Sequence, residues 1–257
     1  MMLFDSHAHL QNNMIEGDLE EILQRAQAAG VEDLACVGYD VPSSRKAVEL
    51  ARRYKMIHAV VGIHPHDAGS ADEEALAEIL QLGRQAEVVA IGEMGLDFFR
   101  DLSPREVQRQ AFRAQIKIAQ ELKKPIVIHD RDAHQEVLDI IKEEKAGSNM
   151  GIMHCYSGHM PLAVELMKLG FYISIAGPVT YKNAAKTQEV AAKAAAERLL
   201  IETDCPYLSP EPFRGKTNEP ARVAYVAQCV ADLRHKPVEE IAYLTWRNAS
   251  KLFGLKP

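Results

Sequence analysis

Short apolar runs alternate along the chain with segments whose apolar residues recur every three or four positions. The first pattern is typical of buried strands and the second of amphipathic helices. Leu19, Ile22 and Leu23, for example, lie on one face of a helix. The eight strand-like runs are Leu3–His7, Asp33–Gly38, His58–Ile63, Val88–Glu93, Pro125–His129, Gly151–His154, Tyr172–Ile175 and Leu199–Thr203. The pattern predicts eight strands that alternate with helices.

This alternation predicts a parallel sheet, because the connection between parallel strands usually contains a helix. Strands rich in Val and Ile indicate burial on both faces. Eight such units in 257 residues favour a closed α/β barrel of the TIM type, (β/α)8, formed by residues 1–257 as a single domain. An open, doubly wound sheet is the alternative. It is disfavoured because polar residues follow strands along the whole chain, and a barrel brings all those strand ends to one face.

Local signals predict where several helices begin and end. The segment Ser103–Glu106 has the form of a capping box with proline at the first helical position, and it predicts a helix through Leu122. Gly30 and Gly170 are predicted to end two other helices in the left-handed conformation. Arg131 is predicted to open the fifth helix.

The composition is that of an ordinary globular protein, with 47% hydrophobic and 26% charged residues. A formal net charge of −6 disfavours broad coating of duplex DNA, which needs many cationic contacts. It allows a nucleic-acid end to enter a locally positive pocket. The cysteines form no Cys-x-x-Cys pair, and no apolar run reaches the roughly 18 residues of a membrane span. The sequence therefore predicts a cytoplasmic protein without a disulfide framework or a membrane partner.

Several strand-like runs end in residues that bind metal ions. His7 and His9 share one face of the first strand, because side chains alternate along a strand. They can hold one ion, to which Asp204, after the eighth strand, can also contribute. An isolated strand-end histidine is more often a hydrogen-bonded rim residue, and an aspartate there is commonly a helix cap.

Three further candidates follow the fourth, fifth and sixth strands, and these are Glu93, His129 and His154. The two histidines can hold a second ion, and Glu93 is placed to bridge it to the first. The recurrence of such residues at the same end of successive strands indicates a hydrolase site with two metal ions.

Longer motifs surround these residues. They are Asp5-Ser6-His7-Ala8-His9-Leu10, Gly62-Ile63-His64-Pro65-His66, Gly92-Glu93-Met94-Gly95-Leu96-Asp97, His129 with Arg131, His154-Cys155-Tyr156-Ser157-Gly158, Glu202-Thr203-Asp204-Cys205-Pro206 and Arg214-Gly215-Lys216-Thr217-Asn218-Glu219-Pro220. Together they closely resemble the TatD family of metal-dependent deoxyribonucleases, in the amidohydrolase superfamily. The resemblance extends to the Asn248–Phe253 segment. It implies a TIM barrel that hydrolyses DNA as an exonuclease. It also implies that His7, His9, Glu93 and Asp204 bind one ion and that Glu93, His129 and His154 bind the other.

Five residues are candidates for substrate binding. Arg131 and Arg214 suit bidentate phosphate contacts, and Lys216 suits a point-charge contact. His64 is predicted to contact the substrate near the metals. His66 fits a substrate contact and a polar loop residue equally well.

The predicted reaction is the hydrolysis of a phosphodiester by a water that bridges two divalent ions, proceeding from the 3′ end. Asp204 would accept the proton of that water, and Glu93 would bridge the ions. Imidazole ligands favour Zn, Mn, Ni or Fe, whereas the resemblance implies Mg or Mn, so the metal is left open. The expected partner is DNA with single-stranded or frayed 3′ ends, and no obligate protein partner is evident.

Two other functions use the same residues. A hydrolase of a small-molecule amide or ester, or of an aminoacyl ester, would share every ligand and differ in its loops. The cationic residues Arg131, Arg214 and Lys216 favour a phosphate substrate over a neutral amide. A non-catalytic, metal-dependent binding module would retain nucleic acid without turnover, and it is disfavoured because the ligand sets leave coordination positions open.

Overall fold

The computed structural model describes residues 1–15 and 17–255. In this part of the chain the strands are β1 (Leu3–Ala8), β2 (Val31–Val37), β3 (Ile57–Val61), β4 (Val88–Asp97), β5 (Ile126–Arg131), β6 (Gly151–Met153), β7 (Phe171–Ile175) and β8 (Leu199–Ile201). The α-helices are α1 (Leu19–Ala28), α2 (Val41–Arg53), α3 (Glu73–Gly83), α4 (Arg105–Leu122), α5 (His134–Glu143), α6 (Met160–Lys168), α7 (Ala185–Lys193), α8 (Val223–Arg234) and α9 (Val238–Leu252). Short 3₁₀ helices lie at Pro65–Ser70, Ala146–Asn149, Gly177–Thr180, Ala196–Arg198 and Pro220–Arg222. The predicted alternation of strands and helices is confirmed.

Over the described ranges the eight strands form one sheet in sequence order, from β1 to β8. Neighbouring strands run parallel, as in the pairs β3–β4, β4–β5, β5–β6 and β7–β8. The chain after β8 returns to β1, because Ala8 and Cys205 form a parallel bridge. The fold is therefore a (β/α)8 barrel of the TIM type, and the open sheet is excluded.

Two compact units can be distinguished along the chain. The first unit comprises Met1–Ala35, Cys155–Met167 and the chain from Tyr172 onward. The second unit comprises Cys36–His154 and Lys168–Phe171. That residues 1–257 form a single domain stays a prediction.

Helix α9 packs on the strands of the first unit. The ring of Phe4 in β1 lies 5.6 Å from that of Phe253, which directly follows α9. Burying a side chain of this size contributes roughly 1.5–3 kcal/mol. Trp246 is a core residue, and its indole N–H donates to Asp33 at 2.9 Å. The last helix is thereby fixed to both β1 and β2.

Helix α4 packs on β4 in the second unit. Its apolar stripe includes Phe112, Ile116 and Ala119, all buried. Gln115 lies among them, and its amide accepts from the Ile63 N–H at 2.7 Å and donates to the Ile63 carbonyl at 2.9 Å. This buried amide fixes the chain directly after β3, where His64 follows.

Strand β4 is longer than the sequence predicted. The prediction ended the strand at Glu93, but the strand continues to Asp97. Its pairing with β5 changes register between Ile91 and Met94. Gly95 has a φ of 143°, and a Cβ there would lie 2.0 Å from the carbonyl oxygen of His129, so the two strands approach closely only because residue 95 is glycine. Glycine and aspartate are typical of turns, which is why the sequence pattern ended the strand too early.

Two other local predictions were wrong. Arg131 ends β5 rather than opening α5, because it pairs with Asp97 and its carbonyl accepts the Phe98 N–H at 2.9 Å. The helix from Arg105 to Leu122 is present, but no side chain caps its start. Ser103 instead donates its hydroxyl to the His66 carbonyl at 2.8 Å.

The predicted ends of two helices are confirmed. Gly30 and Gly170 follow α1 and α6 with φ values of 92° and 99°, in the left-handed region. Among the described helices, none combines the length and the apolar character needed to cross a membrane.

Candidate metal centre

The first cluster consists of His7, His9 and Asp204 in the first unit, and all three are buried. The Nε2 atoms of His7 and His9 lie 3.2 Å apart. The Oδ1 atom of Asp204 lies 3.9 Å from Nε2 of His7 and 3.5 Å from Nε2 of His9. Three donor atoms of the kinds that bind divalent metals therefore face one point.

Backbone hydrogen bonds position the first cluster. The Asp204 N–H donates to the His7 carbonyl at 2.9 Å, and the His9 N–H donates to the Cys205 carbonyl at 2.8 Å. Asp204 has a φ of 57°, which aspartate tolerates better than most residues. The Asn218 amide braces this segment by donating to the Thr203 carbonyl at 2.9 Å. The spacing of the ligands thus follows from how β1 meets the chain after β8.

A buried carboxyl group lies behind this cluster. Asp5 accepts hydrogen bonds from the N–H and the hydroxyl of Thr203 at 2.8 Å and 2.5 Å. Burial raises the pKa of Asp5 to about 8, although the bonds from Thr203 oppose this shift. Asp5 is therefore predominantly neutral at pH 7 and adds little negative charge beside His7.

The second cluster consists of Glu93, His64, His129 and His154 in the second unit. The Oε1 atom of Glu93 lies at its centre. It is 2.9 Å from Nδ1 of His129 and 3.3 Å from Nε2 of His154. Nε2 of His64 lies 3.5 Å from the same oxygen. One carboxylate thus faces three imidazole rings.

Asp97 positions two histidines at the second cluster. Its Oδ2 atom lies 3.0 Å from Nε2 of His129 and 2.7 Å from Nε2 of His66. The Asp97 N–H in turn donates to the buried side chain of Gln108 at 2.9 Å. Because β4 continues through Asp97, the backbone of this residue is held in the sheet. Its carboxylate therefore fixes the orientation of the His129 ring.

These contacts shift two pKa values in opposite directions. Burial lowers the pKa of His129, but the bonds to Asp97 and Glu93 outweigh it and raise this pKa to about 9. Burial raises the pKa of Asp97, but hydrogen bonds from His129, from the Arg100 N–H and from His66 outweigh it and hold this pKa well below its usual range. Both shifts show that the site favours a positive charge at His129.

Hydrogen bonding distinguishes His129 from His64. His129 can donate from Nε2 to Asp97, which leaves the lone pair of Nδ1 for a metal, as metal-binding histidines commonly do. Nδ1 of His64 accepts the His66 N–H at 3.1 Å. A neutral His64 ring must then carry its proton on Nε2, so that atom is suited to donate a hydrogen bond and not to bind a metal.

Both clusters fit a divalent ion. Ligand atoms that bind at about 2.1 Å in tetrahedral or octahedral geometry lie about 3.0–3.5 Å apart. The separations in the first cluster are 3.2, 3.5 and 3.9 Å. In the second cluster the two relevant separations from Glu93 are 2.9 and 3.3 Å. Imidazole and carboxylate donors suit Zn, Mn, Fe or Ni.

The structure brings the predicted ligands together in two groups. His7 and His9 lie with Asp204, and His129 and His154 lie with Glu93. The joint action of both groups at one two-ion centre stays a prediction.

The predicted substrate-binding residues occupy different environments. His64 faces Glu93, and Arg131, Arg214 and Lys216 are exposed. The guanidinium of Arg131 lies 4.9 Å from the ring centroid of Phe99, and that of Arg214 lies 4.4 Å from Tyr181. Their roles in substrate binding stay predictions.

Sequence reasoning missed Gln108 and Tyr207. Gln108 is fully buried in α4 and holds Asp97, and its signal was a polar residue in an apolar register position. The ring of Tyr207 lies 6.1 Å from that of His9, and its hydroxyl accepts from Asn12 at 2.9 Å. Its only signal was its place three residues after Asp204.

Comparisons with known proteins identify the family of the chain. The family described as TatD related DNase matches residues 4–254. A Bacillus subtilis (strain 168) protein, named uncharacterized metal-dependent hydrolase YabD, is 50% identical over 254 residues, which cover 99% of this chain and 100% of that protein. The 3′-5′ ssDNA/RNA exonuclease TatD of Citrobacter koseri is 36% identical over 258 residues, which cover 98% and 99%.

A solved structure of a related protein has the same fold. The crystal structure of YjjV, a TatD homologue from Escherichia coli K12, superposes with a TM-score of 0.93 at 32% identity, and the match covers 99% of this chain and 98% of that one. The chain therefore belongs to the TatD family and is a metal-dependent hydrolase.

Proposed function

We propose that the protein is a 3′-5′ exonuclease that hydrolyses phosphodiester bonds of single-stranded or frayed DNA with two divalent ions. The observation that carries this proposal is the pair of imidazole–carboxylate clusters whose donor atoms have the spacing of metal ligands. The name of the Citrobacter relative supports the substrate and the polarity. A cytoplasmic location and the lack of an obligate protein partner stay predictions.

In this proposal the first cluster and the second cluster each hold one ion. Bound divalent ions would lower the pKa of water and neutralise charge on the phosphate oxygens. Asp204 accepts the proton of the attacking water, because the ligand histidines use their lone pairs in binding. Glu93 provides the carboxylate that His129 and His154 face in the second cluster. The sequence also predicts that Glu93 would bridge to the first ion.

Other side chains hold the substrate. Nε2 of His64 donates to an oxygen of the scissile phosphate, in keeping with the proton that its hydrogen bonding requires on that atom. Arg131, Arg214 and Lys216 are exposed cations that bind neighbouring phosphates. A neutral amide or lactone would make no use of these three charges, which favours the nuclease over the small-molecule hydrolase.

The test is a digest of end-labelled single-stranded and duplex DNA by protein loaded with Mn²⁺ or Mg²⁺, alongside a panel of amides, esters and lactones. We expect a ladder that shortens from the 3′ end of the single strand. Glu93→Gln is expected to lower the rate by at least about a hundredfold, since even residues that orient metal ligands cost ten- to a hundredfold. Glu121→Gln is the matched control, because Glu121 is an exposed ion-pair partner of Arg84.

Two outcomes would contradict the proposal. One is turnover of an amide or ester without cleavage of any strand. The other is undiminished nuclease activity of the Glu93→Gln variant.

A further inference from the structure

The turn after β4 exposes large apolar side chains. Phe99 is 62% exposed and Leu102 is 64% exposed, although residues of this kind are usually buried. The turn is nevertheless fixed, because Oδ1 of Asp97 accepts the N–H groups of Phe99 and Arg100 at 3.0 Å and 2.8 Å. The exposure of Phe99 is therefore imposed by the local backbone.

One cation lies against this ring, and a second follows it in the chain. Arg131 lies over one face of Phe99, with its guanidinium carbon 4.9 Å from the ring centroid. Arg100 is the next residue in the turn. Within residues 1–15 and 17–255, neither arginine forms an ion pair with a carboxylate. Most of the Phe99 side chain is in solvent and accessible to a ligand, and both charges stay available for phosphates.

Asp97 connects this turn to the second cluster. One oxygen of its carboxylate holds the Phe99 N–H, and the other lies 3.0 Å from Nε2 of His129. Arg131 lies two residues after His129 in the same strand. The backbone of Phe99 is therefore held in place, with a single carboxylate between it and the candidate metal-binding imidazole of His129.

We propose that Phe99 is a stacking platform for a nucleobase of the single-stranded substrate, with Arg131 and Arg100 binding the adjoining phosphates. The inference rests on the proposed function and adds a binding subsite to it. Aromatic rings combined with unpaired cations bind single strands without sequence preference, because every base has a π face. The platform accounts for an exposed aromatic ring beside the site of an enzyme that must accept any base.

The test compares strands with and without bases. Dissociation constants and KM are measured for the metal-loaded protein with a single-stranded oligonucleotide and with the same strand carrying abasic terminal 3′ nucleotides. The variants are Phe99→Ala, Phe99→Leu and Phe99→Tyr. Tyr243→Ala is the matched control, because Tyr243 is a 53% exposed aromatic residue of α9 that stacks on Trp246.

Phe99→Ala is expected to raise the dissociation constant and KM for the base-bearing strand by about 5- to 150-fold. The abasic strand should bind the variant and the wild type equally. Phe99→Leu should behave as Phe99→Ala, because it keeps apolar bulk without a π face, and Phe99→Tyr should restore binding. Thermal unfolding should be the same for all variants, since the side chain is exposed.

Equal losses on base-bearing and abasic strands, or no loss on either, would overturn the stacking platform. In the second case the exposed ring would be free to face another protein. Failure of the proposed function looks different: the wild type would cleave no strand, whatever the dissociation constants of the variants. A wild type that cleaves DNA but binds both strands equally keeps the nuclease and removes the platform.

Discussion

The two clusters of candidate metal ligands are held in place by different kinds of contact. Backbone hydrogen bonds between β1 and the chain after β8 set the positions of His7 and Asp204. Side-chain hydrogen bonds set the second cluster, where Asp97 orients His129 and is itself held by Gln108. The first cluster therefore depends mainly on backbone contacts, with the Asn218 amide as a side-chain brace. The second cluster depends on one carboxylate.

The clusters also differ in charge. In the first, the neighbouring carboxyl of Asp5 has a pKa of about 8 and is mostly neutral at pH 7. In the second, ionised Asp97 raises the pKa of His129 to about 9. A metal ion therefore competes with a proton at His129, because the imidazole must be neutral to bind it.

The largest expected effects come from removing one ligand of each cluster. Asp204→Asn and Glu93→Gln should each lower kcat/KM for single-stranded DNA by at least about a hundredfold. Asp204→Asn should lose metal from the first cluster and keep the ion at Glu93. Elemental analysis of the purified variants, together with the rates, checks this. Equal loss of all metal from both variants would mean that the clusters do not load separately.

Asp97→Asn tests how far the second cluster depends on its orienting carboxylate. An amide offers one oxygen, so it cannot accept on both sides as Asp97 does. We expect metal affinity at the second cluster to fall by about 10- to 100-fold, with the first cluster unaffected. Mn²⁺ titration measures both. Asp101→Asn is the control, because Asp101 is an exposed partner of Arg105; a similar fall in that variant would contradict the assignment.

The pH dependence of metal binding should also separate the clusters. The pKa of His129 is raised from 6.5 to about 9, so Mn²⁺ affinity at the second cluster should rise by about tenfold per pH unit through this range and then level off. The same shift means that the metal-free protein gains stability from protonated His129 below pH 6.5 and loses it as the pH rises through about 9.

Calorimetric titration with Mn²⁺ and thermal unfolding of the metal-free protein measure these two trends. In Asp97→Asn both trends should move to lower pH, because the variant lacks the Asp97 carboxylate that raises the pKa of His129. Affinity that does not change with pH across this range would show that no proton is displaced.

The smallest expected effect concerns the exposed cations. Lys216→Ala should weaken binding of single-stranded DNA on the order of severalfold, to a similar degree for all sequences. The dependence of log K on log salt should become shallower by about 0.7, the value for one phosphate contact on a single strand. Lys251→Ala, at an exposed position in the last turn of α9, is the control. An unchanged slope for Lys216→Ala would remove Lys216 from the substrate site.

Local patterns in the sequence were sufficient to predict the alternation of strands and helices, the barrel and the types of candidate metal ligand. These are local properties: the period of apolar residues decides strand or helix, and His-x-His on a strand places both rings on one face. The family motifs further predicted that the protein is a metal-dependent hydrolase. For the same reason we could predict the helix ends at Gly30 and Gly170, and the helix from Arg105 to Leu122, without knowing which segments pack against them.

The length of β4, and the residues that its end brings to the site, depend on long-range contacts in the folded chain. The strand continues past Glu93 because β5 pairs with it beyond a change in register, and no local pattern encodes that partner. This continuation puts Asp97 against His129 and fixes the turn that exposes Phe99. A hydrogen bond between distant segments also decides which ring nitrogen of His129 carries a proton, since Nε2 faces Asp97 only in the folded chain.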